Sequence, residues 1–230
     1  MATAVNTFLI VLAAIFPVVN PPGVALVFLG LTRGATPETR RILARRIAVN
    51  SLFVLMGSFL LGALILQFYG ISIPILRVAG GLIVAVSGWK LLNEGSHTDF
   101  EASADDVSRA DLLTQAFYPL TLPLTTGPGT IAVTISIGLS RATFTASSGE
   151  LIFVLASLVA ITAIALSIWI CFAYAVRVQK LLGRGGTEIA VRLSAFILFC
   201  LGVQILWSGL SDLLTSLLDR PASFKSAMLA

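Results

Sequence analysis

Six stretches of this sequence carry no charged side chain, and most of them are as long as a bilayer requires. They are Met1–Thr32, Ile47–Leu76, Val78–Trp89, Leu112–Ser140, Leu151–Val176 and Leu193–Ser211. A helix needs about 20 apolar residues to cross the hydrocarbon core. The whole composition agrees: 57% of the residues are hydrophobic and 11% are charged, against roughly a quarter charged in a soluble domain. So few charges cannot clothe a water-facing surface. A soluble enzyme and a disulfide-rich secreted scaffold are excluded, and so is nucleic acid as a partner despite an isoelectric point near 9.5. The apolar runs are continuous rather than alternating, which points to membrane helices and not to a barrel. Cys171 and Cys200 both lie inside such runs and are expected to be buried thiols that pack as small hydrophobes.

The run from Ile47 to Leu76 holds a turn, Tyr69-Gly70-Ile71-Ser72, followed by Pro74. Divided there, it gives one span near Ile47–Phe68 and another near Ile73–Leu92. The expected architecture is therefore all-α, a polytopic membrane protein with six transmembrane helices. The N-terminus has no basic segment of the kind that opens a cleavable signal peptide. Basic residues are unevenly shared between the loops. Arg33, Arg40, Arg41, Arg45, Arg46, Lys90, Arg109, Arg177, Lys180, Arg184 and Arg192 fall on one side, whereas Arg77, Arg141, Arg220 and Lys225 fall on the other. The positive-inside rule then makes the first side cytoplasmic and both termini periplasmic. An acidic stretch, residues 94–111, contains the single histidine, His97, and reads as a solvated linker. It separates a first three-helix unit, 1–93, from a second, 112–230.

The two units share a motif. Pro17-Val18-Val19-Asn20-Pro21-Pro22-Gly23 and Pro123-Leu124-Thr125-Thr126-Gly127-Pro128-Gly129 both fit P-x-x-(N/T)-x-P-G, at an offset of 106 residues. The third span of each unit begins with an arginine, Arg77 and Arg192. Three spans per unit is an odd number, so the second unit is expected to run through the membrane inverted, as in many secondary transporters. Proline removes a backbone donor and glycine tolerates any backbone angle, so the first and fourth helices should be broken at these motifs. Non-helical backbone at membrane depth needs protein or a wet cavity around it, and a restarting helix offers N–H groups and a positive dipole end to an anion such as a carboxylate. The candidate substrate-binding residues are accordingly Asn20, Pro21, Pro22, Gly23 and Val24 with Thr125, Thr126, Gly127, Pro128, Gly129 and Thr130. Asn20 and Thr126 can cap the backbone or contact a ligand. Arg77 and Arg192 are expected near the interfaces, as snorkelling residues or as gating or charge contacts.

No carboxylate lies centrally in a span, no catalytic or metal-ligand constellation lies at membrane depth, and no phosphate-binding loop is present. The expectation is a protein that is not an enzyme and uses no cofactor or metal.

The residues Asn20-Pro21-Pro22-Gly23 with Phe28-Leu29-Gly30-Leu31-Thr32, the block from Tyr69 to Gly81 and the block from Pro123 to Gly129 resemble the MarC family. That family includes SnatA-type small neutral amino acid transporters and is more remotely similar to LysE-type exporters. The resemblance spans about Phe8 to Leu210. It implies a six-helix protein of the bacterial inner membrane that moves glycine, alanine or similar solutes as a secondary transporter, with export the expected direction and H+ or Na+ the expected coupling ion. Thr126 departs from the Ala that often precedes Gly-Pro-Gly in the family. From the residues themselves two other functions stay open: a lipid or drug translocase that holds an anionic headgroup at Arg77 and Arg192, and a membrane scaffold assembled through the small-residue pairs Ser58/Gly62 and Gly81/Ala85.

Overall fold

The structure, a computed structural model, describes residues 2–32, 34–94, 113–139 and 147–218. Residues 95–111 of the acidic linker, with His97 and Arg109, and also Arg33, Arg141, Arg220 and Lys225, lie outside the described residues. Among the described residues the chain is helical, without strands. Helix α1 (Ala2–Val19) is followed after one residue by α2 (Pro21–Leu31), and together they form one apolar path. Helix α3 (Pro37–Tyr69) starts under a Thr36 cap, whose side chain accepts from the Thr39 N–H at 3.2 Å, with proline in the first turn. It ends at Gly70, whose φ of 65° only a glycine adopts cheaply. Helix α4 (Ile73–Glu94) follows the short turn that the sequence places there.

The fourth expected span departs from a simple crossing. Residues 115–127 are irregular, with a π-helical turn at Leu120–Thr125, and only then does α5 (Pro128–Leu139) begin. Pro119, Pro123 and Pro128 remove three backbone donors within ten residues, so a continuous helix cannot form. At 12 residues α5 is too short to cross a bilayer alone. A single helical run, Ser147–Leu218, is broken at Gly183 (φ 67°) into two membrane-length helices, α6 (Gly149–Gly183) and α7 (Gly185–Leu218). The loop expected around Arg177 and Lys180 is therefore helix: one left-handed glycine suffices to turn the chain, and the basic residues ride on the helix end. Among the described residues five helical paths are long and apolar enough to cross a membrane: α1 with α2, α3, α4, α6 and α7.

Two packing units position the rest. The larger core joins α1, α2, α3 and α6 through Ile15, Phe28, Ile47, Phe59, Ile164 and Phe172, with the Phe28 and Phe172 rings stacked at 4.8 Å. Helices α4 and α7 meet along a seam of small residues. Gly81 lies against Gly202 and Leu206, Gly88 against Ala195 and Phe199, and Gly202 against Ala85, so the pair runs antiparallel at close range. Of the small-residue pairs singled out from sequence, Gly81/Ala85 lies on this seam, whereas Gly62 faces Ile135 of α5. Large apolar side chains such as Phe53, Phe68 and Trp207 point outward, as they do when the surrounding solvent is lipid. Both cysteines are free; Cys171 is half-buried, whereas Cys200 is exposed on α7 and does not pack inside the chain as the expectation of a buried thiol requires.

Candidate functional site

Both motifs break the helix, and they do so differently. At the first, proline at position 21 disfavours helical geometry for the residue before it, and Asn20 adopts the left-handed conformation (φ 47°, ψ 58°). Asparagine tolerates that region better than other side-chain-bearing residues. Its Oδ1 accepts the Gly23 N–H at 3.3 Å and its backbone oxygen accepts the Val24 N–H at 3.0 Å. Pro21 and Pro22 have no N–H to offer. Every donor in the first turn of α2 is thus used or missing, so the free N–H groups expected just after Gly23 are not there. What the break offers instead is Asn20 Nδ2, which is buried and has no hydrogen-bond partner. An unsatisfied buried donor of this kind costs about 1–3 kcal/mol.

Pro21, Gly23 and Val24 are buried and Pro22 is exposed. The space above Gly23 is filled: a Cβ built there would lie 2.8 Å from Ser194 Cβ of α7 and closer still to the Asn20 amide. The far end of α2 is held by Arg40, which donates to the Thr32 carbonyl at 2.6 and 3.1 Å and to the Thr32 hydroxyl at 3.3 Å. A cation there faces the negative end of the helix.

The second motif presents hydroxyls. Thr126 donates to Ser51 of α3 at 2.9 Å, with both side chains fully buried. Thr121 receives Asn50 Nδ2 at 3.4 Å and donates to the Ala116 carbonyl at 2.7 Å. Thr125 and Thr134 turn back onto the Leu120 and Thr130 carbonyls. Short side chains that bond their own backbone compete with the helix ladder, and those of Thr121 and Thr125 satisfy carbonyls of the unwound segment. Gly127 has no side chain with which to cap α5, and Pro128 has no N–H, so the Gly129 and Thr130 N–H groups have no cap of the kind that Asn20 supplies to α2. Gly129 is pressed against α4: a side chain there would run into Val84 and come within 3.1 Å of the Gly80 carbonyl oxygen. Each break is therefore held by a different helix of the α4–α7 seam, and no hydrogen bond among the described residues joins Asn20–Val24 to Thr125–Thr130.

A family model described as the MarC family integral membrane protein matches residues 5–214. The chain belongs to the MarC family. It is 34% identical over 210 residues to the inner membrane protein MarC of Salmonella typhimurium, covering 88% of this chain and 93% of that one. The proteins of the same name from Citrobacter koseri and Escherichia coli O1:K1 are 32% and 31% identical with the same coverage. No solved structure matches the chain. Its apolar helices fit a multi-pass membrane protein, and its relatives are named as inner membrane proteins.

In this MarC-family chain the two arginines that sequence treats as equivalent have different surroundings. Arg77 of α4 pairs with Asp212 of α7 at 2.7 Å and donates to Ser136 of α5 at 3.1 Å, tying three helices together. Arg192 pairs only with Glu188, one turn away on its own helix, at 2.8 Å with both side chains more than half exposed. Sequence reasoning did not single out Ser51, Ser194, Asp212 or Arg40 as contacts of the motifs and arginines. Ser51 carried a usable signal, since a serine recurs 106 residues later at Ser157.

Proposed function

We propose that this MarC-family protein is a secondary transporter of small neutral amino acids such as glycine and alanine, working as an exporter across the bacterial inner membrane. The observation that carries the proposal is Asn20 Nδ2, a buried donor without a partner at the positive end of a membrane half-helix. Such a donor suits a carboxylate. Neither broken stretch contains a charged side chain, which fits a solute without net charge, and the prolines and Val24 around the break leave little room for a large side chain.

On the same proposal the irregular segment and α5 together make a sixth crossing, so that two three-helix units run inverted to one another with both termini periplasmic. The packing of the breaks supports this arrangement: Gly23 of the first unit rests on Ser194 of α7, and Gly129 of the second rests on Gly80 and Val84 of α4. The contacts are reciprocal, as an inverted pair requires. Transport would be driven by an H+ or Na+ gradient, with no chemical step. A headgroup-binding translocase is less well supported, because Arg77 and Arg192 are each already paired with a carboxylate.

Reconstituted protein should carry radiolabelled glycine across proteoliposome membranes, with competition by excess alanine. Absence of saturable flux for any small amino acid would refute the substrate class.

A further inference from the structure

Two buried side-chain polar atoms among the described residues have no hydrogen-bond partner, Asn20 Nδ2 and Ser157 Oγ. Their places in the sequence are related to a bonded pair. Asn20 precedes Thr126 by 106 residues, the offset of the repeated motif, and Ser157 follows Ser51 by the same 106. Thr126 and Ser51 are hydrogen-bonded to each other at 2.9 Å and fully buried. The bonded pair joins the break of the second unit to α3 of the first. Its counterpart would join the break of the first unit to α6 of the second, and both atoms of that counterpart stand unmatched.

Resting on the transporter reading above, we propose that Asn20 and Ser157 form the alternate hydrogen bond of a two-state switch: it is made in a second conformation in which the Thr126–Ser51 bond is broken. The chemistry is complementary. Asn20 keeps its Oδ1 on the Gly23 N–H and donates through Nδ2, while Ser157 Oγ accepts. The two units also enter their motifs by different paths, a regular helix before Asn20 and an irregular segment before Thr126. In the second conformation each unit keeps its own path, which its prolines dictate, and only the Thr126–Ser51 and Asn20–Ser157 bonds trade places. Each state satisfies one pair and leaves the other buried and unmet, so neither is favoured by both, which is the condition for a bistable element.

The test labels Gly34→Cys and Gly185→Cys with nitroxides in a Cys171→Ala, Cys200→Ala background in proteoliposomes. Both glycines have open space around them, and neither touches the motifs. Pulsed electron paramagnetic resonance should resolve two distance populations. Ser51→Ala should enlarge the minor one about two- to tenfold, the range set by one net hydrogen bond, Ser157→Ala should shrink it by a similar factor, and the double variant should restore the parent ratio. Shifts in the same direction, or none from either variant, overturn the switch. Glycine flux on the same vesicles is read separately: opposite shifts without flux retain the switch and sink the substrate class, whereas flux without shifts does the reverse.

Discussion

The break at Asn20 and the break at Thr126 come from one motif and solve the same problem in opposite ways. The first is confined to one residue: Asn20 turns left-handed, caps its own helix and leaves its amide nitrogen unmatched. The second spreads over a dozen residues, has every buried threonine hydroxyl engaged apart from that of Thr130, and leaves the start of α5 without a side-chain cap. The difference follows from side-chain chemistry and from what precedes each motif. An asparagine amide reaches around to the third residue of its helix, whereas at the second motif the capping position falls to Gly127. One proline precedes the first break within its motif, while Pro119 and Pro123 both unwind the approach to the second. A repeated sequence thus fixes where a helix stops, and neighbouring residues decide what the stop exposes.

The largest effect should come from filling the glycine that the seam holds most tightly. Gly129→Val would drive a branched side chain into Val84 and toward the Gly80 carbonyl, a clash with rigid helix packing that costs about 1–3 kcal/mol or more. Thermal unfolding in detergent should show the loss, and Val84→Ala should recover part of it in Gly129→Ala. If Gly129→Val unfolds at the parent temperature, the contact between α5 and α4 is not as close as described.

Next comes the contrast between the two buried serines. Ser51→Ala leaves the Thr126 hydroxyl buried without a partner and should cost about 1–3 kcal/mol. Ser157→Ala removes a hydroxyl that has no partner already, and its unfolding temperature should be unchanged or higher. Equal losses from both would erase the distinction between the two halves on which the switch depends.

Much of the fold was legible in the sequence because bilayer burial leaves a plain trace: long charge-free runs for the spans, and Pro/Gly for the stops. The turn at Gly70 and the breaks at Asn20 and Thr126 needed only local rules. The extent of the second break was less visible, since it depends on Pro119 and Pro123 acting together with hydroxyls that satisfy the freed backbone. Apart from Ser51, whose recurrence at Ser157 is visible at the repeat offset, partners from distant helices were not legible. Ser194, Gly80, Val84 and Asp212 lie on helices apolar all round, where no amphipathic period says which face meets which neighbour.

Smaller effects separate the cap from the donor at Asn20. Asn20→Ala loses the cap, worth typically about 1 kcal/mol, and puts a β-carbon where the backbone is left-handed. Asn20→Gly accepts the backbone angle and should cost only about a few tenths of a kcal/mol, yet it removes Nδ2. Glycine binding measured by ligand-induced thermal stabilisation should therefore fall in both variants while stability falls mainly in the first. If Asn20→Gly binds normally, the amide is a cap and nothing more.

The smallest effect should be found at Arg192, and its value lies in comparison with Arg77. Sequence places the two arginines at equivalent positions, but Arg77 joins α4 to α7 and α5, with its pair only partly exposed, and Arg192 stays within one turn of α7 at about half exposure. Arg77→Gln strips the charge from a link that spans 135 residues of sequence and leaves Asp212 uncompensated, so a loss near the upper end of the about 0–1 kcal/mol range for such pairs is expected. Arg192→Gln removes a local, solvent-screened pair and should stay within about 0.5 kcal/mol of the parent. A double-mutant cycle of Arg77→Gln with Asp212→Asn should show coupling, because each single variant leaves the other charge alone. The corresponding cycle of Arg192→Gln with Glu188→Gln should show little. Equal coupling in the two cycles would mean that the arginines act alike, and that the inequality of the halves is confined to the breaks themselves.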